Sequence, residues 1–176
     1  MTQTAPLLAA IRYTRDDAID ELLETLVRGF QARGMRVAGF IQRETEAGPD
    51  CCATTQLEDV TTGEWHLISQ ALGSGAKGCR LDPQALALLC ARLEDELARG
   101  AGLLVINRFG RGESEGHGFR AAIERALLAG IPVLAAVQDG YLPAWQAFVG
   151  DCGTTLPAAR AEIEAWAAAV LPVERA

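Results

Sequence analysis

The chain has 176 residues, of which 49% are hydrophobic, and 23 acidic against 16 basic residues give it a net charge of −7. This length predicts a single α/β domain over residues 1–176, with a core that needs no disulfide or metal. The acidic balance argues against nucleic-acid binding, which depends on a dense basic surface. We find no membrane span and no signal-peptide pattern, so we expect a cytoplasmic protein. The sequence does not decide between a monomer and a homo-oligomer.

The five cysteines also limit the chemistry. They are Cys51, Cys52, Cys79, Cys90 and Cys152. No C-x-x-C pair occurs, so we predict reduced thiols and no metal site. A metal or redox role for Cys51, Cys52 and Cys79 stays open.

The first half of the chain alternates strand-like and helix-like segments, which is typical of a mostly parallel sheet covered by helices on both faces. An apolar run over 7–13 predicts a buried strand, and the polar residues 14–17 are suited to begin a helix that Gly34 ends. The next predicted elements are a strand over 35–42 and a hairpin of 53–60 and 64–70, an elaboration covering about 44–72.

The second half begins with a glycine-rich loop over 73–80. Asp82 followed by Pro83 predicts a helix start, because aspartate caps helices and proline suits the first helical position. The uninterrupted apolar run 103–106 predicts a central parallel strand. The remaining predicted elements are a polar loop over 107–118, a helix that Gly130 ends, a strand over 131–137, and helices over 143–149 and 157–170.

Several segments resemble, in the same order, the cancer-related nucleoside triphosphatases of archaea, bacteria and animals. Val37-Ala38-Gly39-Phe40 is similar to their glycine-phenylalanine strand, and Thr62-Gly63-Glu64 to their hairpin turn. Residues 104–110 stand where that family's catalytic strand ends in Asp-Glu-x-Gly, and 131–137 resemble its next strand. The resemblance implies a three-layer, mostly parallel sheet of the P-loop nucleoside triphosphatase type.

The chain also resembles an uncharacterised bacterial family over about residues 5–150. The motifs of that family are Gly-Cys-Arg-Leu-Asp, present here at 78–82, Asn-x-Phe-Gly, present at 107–110, and Glu-x-Gly-x-Gly, in place of which this chain has Glu115-Gly116-His117-Gly118. Members of that family are often encoded beside molybdate-transport or molybdenum-enzyme genes. This resemblance implies a link to molybdenum metabolism, although the chain has no signature of an ABC transporter.

The predicted phosphate loop is degenerate. A P-loop needs glycines that wrap the phosphates, a lysine that offsets their charge, and a hydroxyl that holds magnesium. Residues 12–17 read Arg-Tyr-Thr-Arg-Asp-Asp instead, with no glycine and with two carboxylates. Asn107 also stands where the family places a magnesium-positioning aspartate. Hydrolysis of ATP by the usual route is therefore not expected, and we lean against an enzyme.

Two loops are candidate sites. In the first, Gly75, Lys77, Gly78 and Arg80 are suited to surround a small oxyanion, although a purely structural surface loop is the alternative. The second, residues 107–118, follows a central strand at the edge where open α/β sheets bind ligands.

In the second loop, Asn107, Arg108, Arg111 and His117 are candidate ligand contacts. Solvated loop charges with no binding role are the alternative.

We weigh three functions for the protein. The leading hypothesis is a non-hydrolytic protein that binds a nucleotide, molybdate or another oxyanion. The second is a divergent phosphohydrolase in which Glu113 or Glu115 positions a water, and the third is an interaction module with a vestigial site.

Overall fold

The computed structural model describes residues 5–45, 53–70 and 81–171. The elements in these ranges are, in chain order, β1 (Leu8–Tyr13), α1 (Ile19–Ala32), β2 (Val37–Glu44), β3 (Thr55–Asp59), β4 (Trp65–Leu67), α2 (Pro83–Ala98), β5 (Leu103–Phe109), α3 (Arg111–Ser114), α4 (Arg120–Leu128), β6 (Val133–Gln138), α5 (Leu142–Val149), β7 (Gly153–Pro157) and α6 (Arg160–Val170). No helix in the described ranges combines the length and apolar character needed to cross a membrane.

The strands form one sheet in the order β4-β3-β2-β5-β6-β1-β7. The pairs β2–β5, β5–β6, β6–β1 and β1–β7 are parallel. The strands β3 and β4 pair antiparallel and form the predicted hairpin at one edge. The predicted fold class, a mostly parallel sheet with a hairpin elaboration, is confirmed, and β5 lies inside the sheet as its apolar run predicts.

Helices cover both faces of the sheet. On the α1 face, α1 and α6 pack on side chains such as Ile11 and Val105. On the α2 face, α2, α4 and α5 pack on side chains such as Leu104 and Ile106. Successive side chains of a strand point to opposite faces, so β5 supplies apolar residues to both cores. This three-layer arrangement leaves the strand ends as the place where polar side chains can gather.

The starts of α1 and α2 differ in how they are capped. Asp82 caps α2 as predicted, since its carboxylate accepts the backbone N–H groups of Gln84 and Ala85 at 2.9 and 3.3 Å. At α1 the carboxylate of Asp17 instead accepts the backbone N–H and the hydroxyl of Thr14, at 2.6 and 3.0 Å. Because Asp17 is engaged in its own turn, α1 begins after Ala18 with no side-chain cap.

Two predicted boundaries were wrong. The segment 107–118 is not a continuous loop, because β5 continues to the buried Phe109 and the next residues form α3. The helix predicted from residue 157 begins only at Arg160 and follows β7, which the sequence analysis missed. The strand β7 is short, pairs only with β1 among the described residues, and has no apolar run to signal it.

Gly39 lies where β2 passes close to β5. It pairs with Val105 and adopts a φ of 138°. A Cβ atom at this position would overlap the carbonyl oxygen of Val105. Glycine tolerates this φ and has no Cβ, so the packing of the two central strands explains why the glycine-phenylalanine segment has glycine at position 39.

Candidate functional site

A crevice of about 570 Å³ opens beside the end of β1 and the start of α1. It lies at the carboxyl edge of the parallel strands, where open α/β sheets bind ligands and where a P-loop protein carries its phosphate loop. The lining residues come mainly from the β1–α1 connection: Tyr13, Thr14, Arg15, Asp17, Ala18, Ile19, Asp20, Glu21, Glu44, Arg108 and Gln138. The crevice is therefore built around the predicted degenerate loop.

A β-bulge brings Arg108 into the lining of this crevice and places the buried Asn107 against the lining residue Asp20. Ile106 pairs with Ala135 and Phe109 with Val137, so three steps along β5 face two steps along β6. Neighbouring side chains of a regular strand point to opposite faces, but a bulge re-aims them. As a result, the consecutive residues Asn107 and Arg108 both reach the α1 face.

Asn107 and Arg108 hold the same carboxylate. Asp20, in the first turn of α1, accepts the side-chain amide N–H of Asn107 at 3.0 Å and a guanidinium N–H of Arg108 at 2.9 Å. The amide oxygen of Asn107 accepts the backbone N–H of Gln42 at 2.8 Å, and Arg108 also donates to the Tyr13 hydroxyl at 3.0 Å. These bonds join β1, β2, β5 and α1 at the crevice.

The crevice lining carries charges of both signs. Arg15 and Arg108 are its arginines, and they stand against four carboxylates. Asp20 is paired with Arg108, whereas Glu21 is exposed in the same helical turn. The start of α1 adds partial positive charge, because the first backbone N–H groups of a helix have no intrahelical partner. The two arginines and the start of α1 therefore attract an anion locally, although carboxylates surround them.

Glu113 lies apart from this crevice and holds its own segment in place. Its side chain is buried, and its two oxygens accept the backbone N–H groups of Gly110 and Phe119, each at 3.0 Å. Gly118 packs so closely on the Glu113 carboxylate that a Cβ would overlap it. Glu113 was predicted as a candidate base, and the geometry gives it an anchoring role. Its contact with Gly118 explains the last glycine of the segment Glu115-Gly116-His117-Gly118.

Arg111, Glu115 and His117 are also placed away from the crevice lining. Arg111 and Glu115 form an exposed ion pair at 2.8 Å across one helical turn. His117 is exposed, and its backbone N–H donates to the carbonyl of Gly112 at 2.7 Å. The structure therefore divides the predicted loop site: Arg108 lines the crevice, Asn107 is hydrogen-bonded to the lining residue Asp20, and the other candidates lie outside the lining. Roles for the other residues stay predictions.

The other predicted site falls outside the described residues. This applies to Gly75, Lys77, Gly78 and Arg80, and the prediction that they bind an oxyanion stays untested. The same holds for Cys51, Cys52 and Cys79. Cys90 and Cys152 have free thiols. Over residues 5–45, 53–70 and 81–171, no group of three or more His, Cys, Asp or Glu side chains is arranged to hold a metal.

The pKa values of Asp139 and Cys90, which lie outside the crevice lining, are shifted. The hydrogen bond from Arg12 at 2.8 Å lowers the pKa of Asp139, although both side chains are exposed. Burial raises the pKa of the Cys90 thiol, and the charges of Glu113 and Glu94 raise it further. Neither shift provides a reactive group at neutral pH.

Sequence reasoning missed the α1 side of the crevice. Asp20 was not predicted as a site residue, and Tyr13 was predicted as the end of a buried strand and as part of the degenerate loop, not as a partner of Arg108. Their contacts with Arg108 join residues 88 and 95 positions apart in the chain, and no local pattern reveals such pairs. The position of Asp20 in the chain was the one indication, because the first turn of the helix after β1 faces the edge of the sheet where ligands bind.

Comparison with known proteins identifies the family. The chain belongs to the family described as "Protein of unknown function (DUF2478)", whose model matches residues 8–166. A relative in Bradyrhizobium diazoefficiens, "Molybdenum import ATP-binding protein ModC 2", is 40% identical over 159 residues. That match covers 90% of this chain but only 18% of the relative.

Two solved structures share the fold. THEP1 from the hyperthermophile Aquifex aeolicus aligns with a TM-score of 0.63 at 14% identity, covering 89% of this chain and 92% of THEP1. A human cancer-related nucleoside triphosphatase aligns with a TM-score of 0.62 at 15% identity, covering 85% of this chain and 87% of that protein. The sheet and its flanking helices are therefore those of a P-loop nucleoside triphosphatase fold.

Proposed function

We propose that this protein binds a nucleotide or a small oxyanion in the crevice beside β1 and does not hydrolyse it. The observation that carries the proposal is the position of Arg108. The β5 bulge directs its guanidinium to the first turn of α1, and 34% of the side chain stays exposed. A fixed guanidinium next to a helix start is suited to bind a phosphate or molybdate group.

The relatives support the class of ligand. The fold is one in which ligands occupy the carboxyl edge of the strands, and the crevice lies at that edge. The Bradyrhizobium relative is named as an ATP-binding protein of molybdenum import, and the matched segment is a small part of it. From that name we infer two properties for this chain. Its ligand is a nucleotide or molybdate, and its role is linked to molybdenum import.

The absence of hydrolysis follows from the chemistry of the β1–α1 connection. Phosphoryl transfer in P-loop proteins depends on backbone amides, a lysine and a magnesium ion that a hydroxyl and an aspartate position. Here the connection carries Asp17, and Asn107 provides a neutral amide where the aspartate would stand. Glu113, the candidate base, is bound to two backbone N–H groups outside the crevice lining.

The first experiment is a thermal-shift screen of molybdate, tungstate, phosphate, ADP and ATP, the nucleotides with and without magnesium. A ligand that binds the native state raises the melting temperature by mass action. We expect stabilisation by at least one of these anions, with no phosphate released from ATP above background. Turnover abolished by Glu113→Gln or Glu115→Gln would instead support a phosphohydrolase, and no binding at all would support an interaction module.

The second experiment tests Arg108 by calorimetric titration with the best anion from the screen. We expect Arg108→Ala to weaken binding by about ten- to a hundredfold, since it removes one charge-assisted contact. Arg108→Lys should restore binding only in part, because lysine lacks the planar fork. Arg160→Ala removes an exposed arginine on α6 and is the control. Equal affinity in all four proteins contradicts the proposal.

Arg80→Ala belongs in the same titration series. Arg80 was predicted to bind the same anion from the glycine-rich loop, and it lies outside the described residues. A loss comparable to that of Arg108→Ala would place both arginines in one site. Unchanged affinity would restrict the site to the crevice beside β1.

A further inference from the structure

We infer that Asp20 is an internal counter-anion: it occupies the hydrogen-bond donors that an incoming oxyanion needs, and so determines which anions the crevice accepts. The inference rests on the proposed function, since it concerns the same crevice. It assigns a specificity-determining role to a residue that carries a charge of the same sign as the ligand.

The first step is the geometry of the donors. Asn107 and Arg108 each donate one N–H to a different oxygen of the Asp20 carboxylate, at 3.0 and 2.9 Å. Two converging donors of this kind also suit two oxygens of a phosphate or molybdate group. A bulge re-aims the side chains of a strand, and this one brings both donors to one carboxylate.

The second step is that each donor has a further partner, whereas among the described residues the Asp20 side chain is held only by these two donors. The side chain of Asn107 is held by the backbone N–H of Gln42, and the guanidinium of Arg108 by the hydroxyl of Tyr13. The bonds to Asn107 and Arg108 orient Asp20, whose side chain is 33% exposed at the start of α1. A rotation of the Asp20 side chain towards solvent would free both donors and leave them in position.

The consequence is selectivity by charge. A ligand must displace a carboxylate that already pairs with Arg108, so a monoanion gains little from the exchange. A dianionic tetrahedral group brings more charge to the same two donors and competes better. The shared chemistry is that of a dianionic oxyanion, which either a free ion or the terminal phosphate of a nucleotide supplies.

The test compares Asp20→Asn with Glu21→Gln. Both changes remove one negative charge from the first turn of α1, and both positions line the crevice. Of the two side chains, Asp20 is the one that accepts hydrogen bonds from Asn107 and Arg108. Affinities are measured by calorimetry for inorganic phosphate, molybdate and ADP, so that the free ions are distinguished from a nucleotide phosphate.

We expect Asp20→Asn to raise the affinity for at least one dianionic probe by about tenfold, because the ligand no longer displaces a charged partner. Glu21→Gln should raise it by less than about threefold, since a solvated charge acts only through screened repulsion. Acetate, titrated as a monoanionic probe, should gain at least as much as the dianions, because the variant no longer imposes the cost of displacing Asp20 that excludes monoanions from the wild type. Asp20→Ser provides the same comparison if the asparagine variant does not fold, and the melting temperature of each variant is measured first.

The outcomes separate this inference from the proposed function. Equal gains for Asp20→Asn and Glu21→Gln, or no gain for either, overturn the inference while wild-type binding would still support the proposed function. Binding by Asp20→Asn alone supports the inference and shows that the wild-type crevice is closed to these probes. If no variant binds any probe, both are overturned.

Discussion

At the scale of single residues, Glu113 shows how a charged side chain in a glycine-rich segment can stabilise the backbone. We expect Glu113→Gln to lower the free energy of unfolding by about 1–3 kcal/mol. The reason is that the new amide nitrogen would face a backbone N–H in a buried place that now offers two acceptor oxygens. Urea denaturation monitored by circular dichroism measures the change.

Glu115→Gln is the matched control for this prediction. Its carboxylate pairs with Arg111 on the surface, and such exposed pairs contribute little. We expect a change within about 0.5 kcal/mol. Equal effects of the two substitutions would contradict the anchoring role of Glu113 and return it to consideration as a base.

At the scale of elements, the close approach of β2 and β5 depends on Gly39. We expect Gly39→Ala to destabilise the protein by at least about 2 kcal/mol, because the added Cβ overlaps a neighbouring strand and requires an unfavourable φ. Gly140→Ala is the control, since a Cβ there meets no heavy atom within 4 Å. Thermal unfolding of both variants provides the comparison, and a Gly39→Ala protein as stable as the control would contradict this account of strand packing.

The elements also show which features are visible in a sequence. The strand β5 and the start of α2 were predictable because each has a local cause, an apolar run and an Asp-Pro pair. The strand β7 was not, since it is short and is recognisable only through its pairing with β1. The bulge at Asn107 arises from the register between β5 and β6, which no local pattern encodes.

The residues of the candidate site also divide into those that a sequence pattern indicates and those that only tertiary contacts reveal. Asn107 and Arg108 were predicted as contacts because they follow a central strand, a position that the fold itself makes informative. Asp20 was not predicted, because its role depends on contacts with residues 87 and 88 positions away. The predicted grouping of Arg108 with Arg111 and His117 did not anticipate that the structure divides them between the crevice and the α3 segment.

At the scale of the whole molecule, the strand order explains why the crevice lies where it does. The strands β1 and β2 are separated by β6 and β5, so the β1–α1–β2 connection has to cross two strands. The first turn of α1 consequently lies near the carboxyl ends of β1, β6 and β5. A helix start, Arg108 and the end of β1 are brought together by topology, without a glycine-rich phosphate loop.

The net charge of −7 leads to the last prediction, which concerns how fast an anion reaches the crevice. The lining itself has more carboxylates than arginines, so an approaching nucleotide meets repulsion before it contacts Arg108. Salt screens such repulsion over about 10 Å at 0.1 M. We therefore expect the association rate constant of a fluorescent ADP analogue, measured by stopped flow, to rise between 10 and 150 mM salt, whereas a basic binding surface would give the opposite trend.

A double variant, Glu124→Gln with Glu164→Gln, tests whether the whole-molecule charge causes this trend. Both carboxylates lie on helices outside the crevice lining, and their removal eliminates two of the seven net negative charges. The rate constant at low salt should rise and its salt dependence should become weaker, while the dissociation rate constant should stay within about twofold, because no contact in the crevice changes. An association rate that falls with salt in the wild type would mean that local attraction by the arginines outweighs the overall charge.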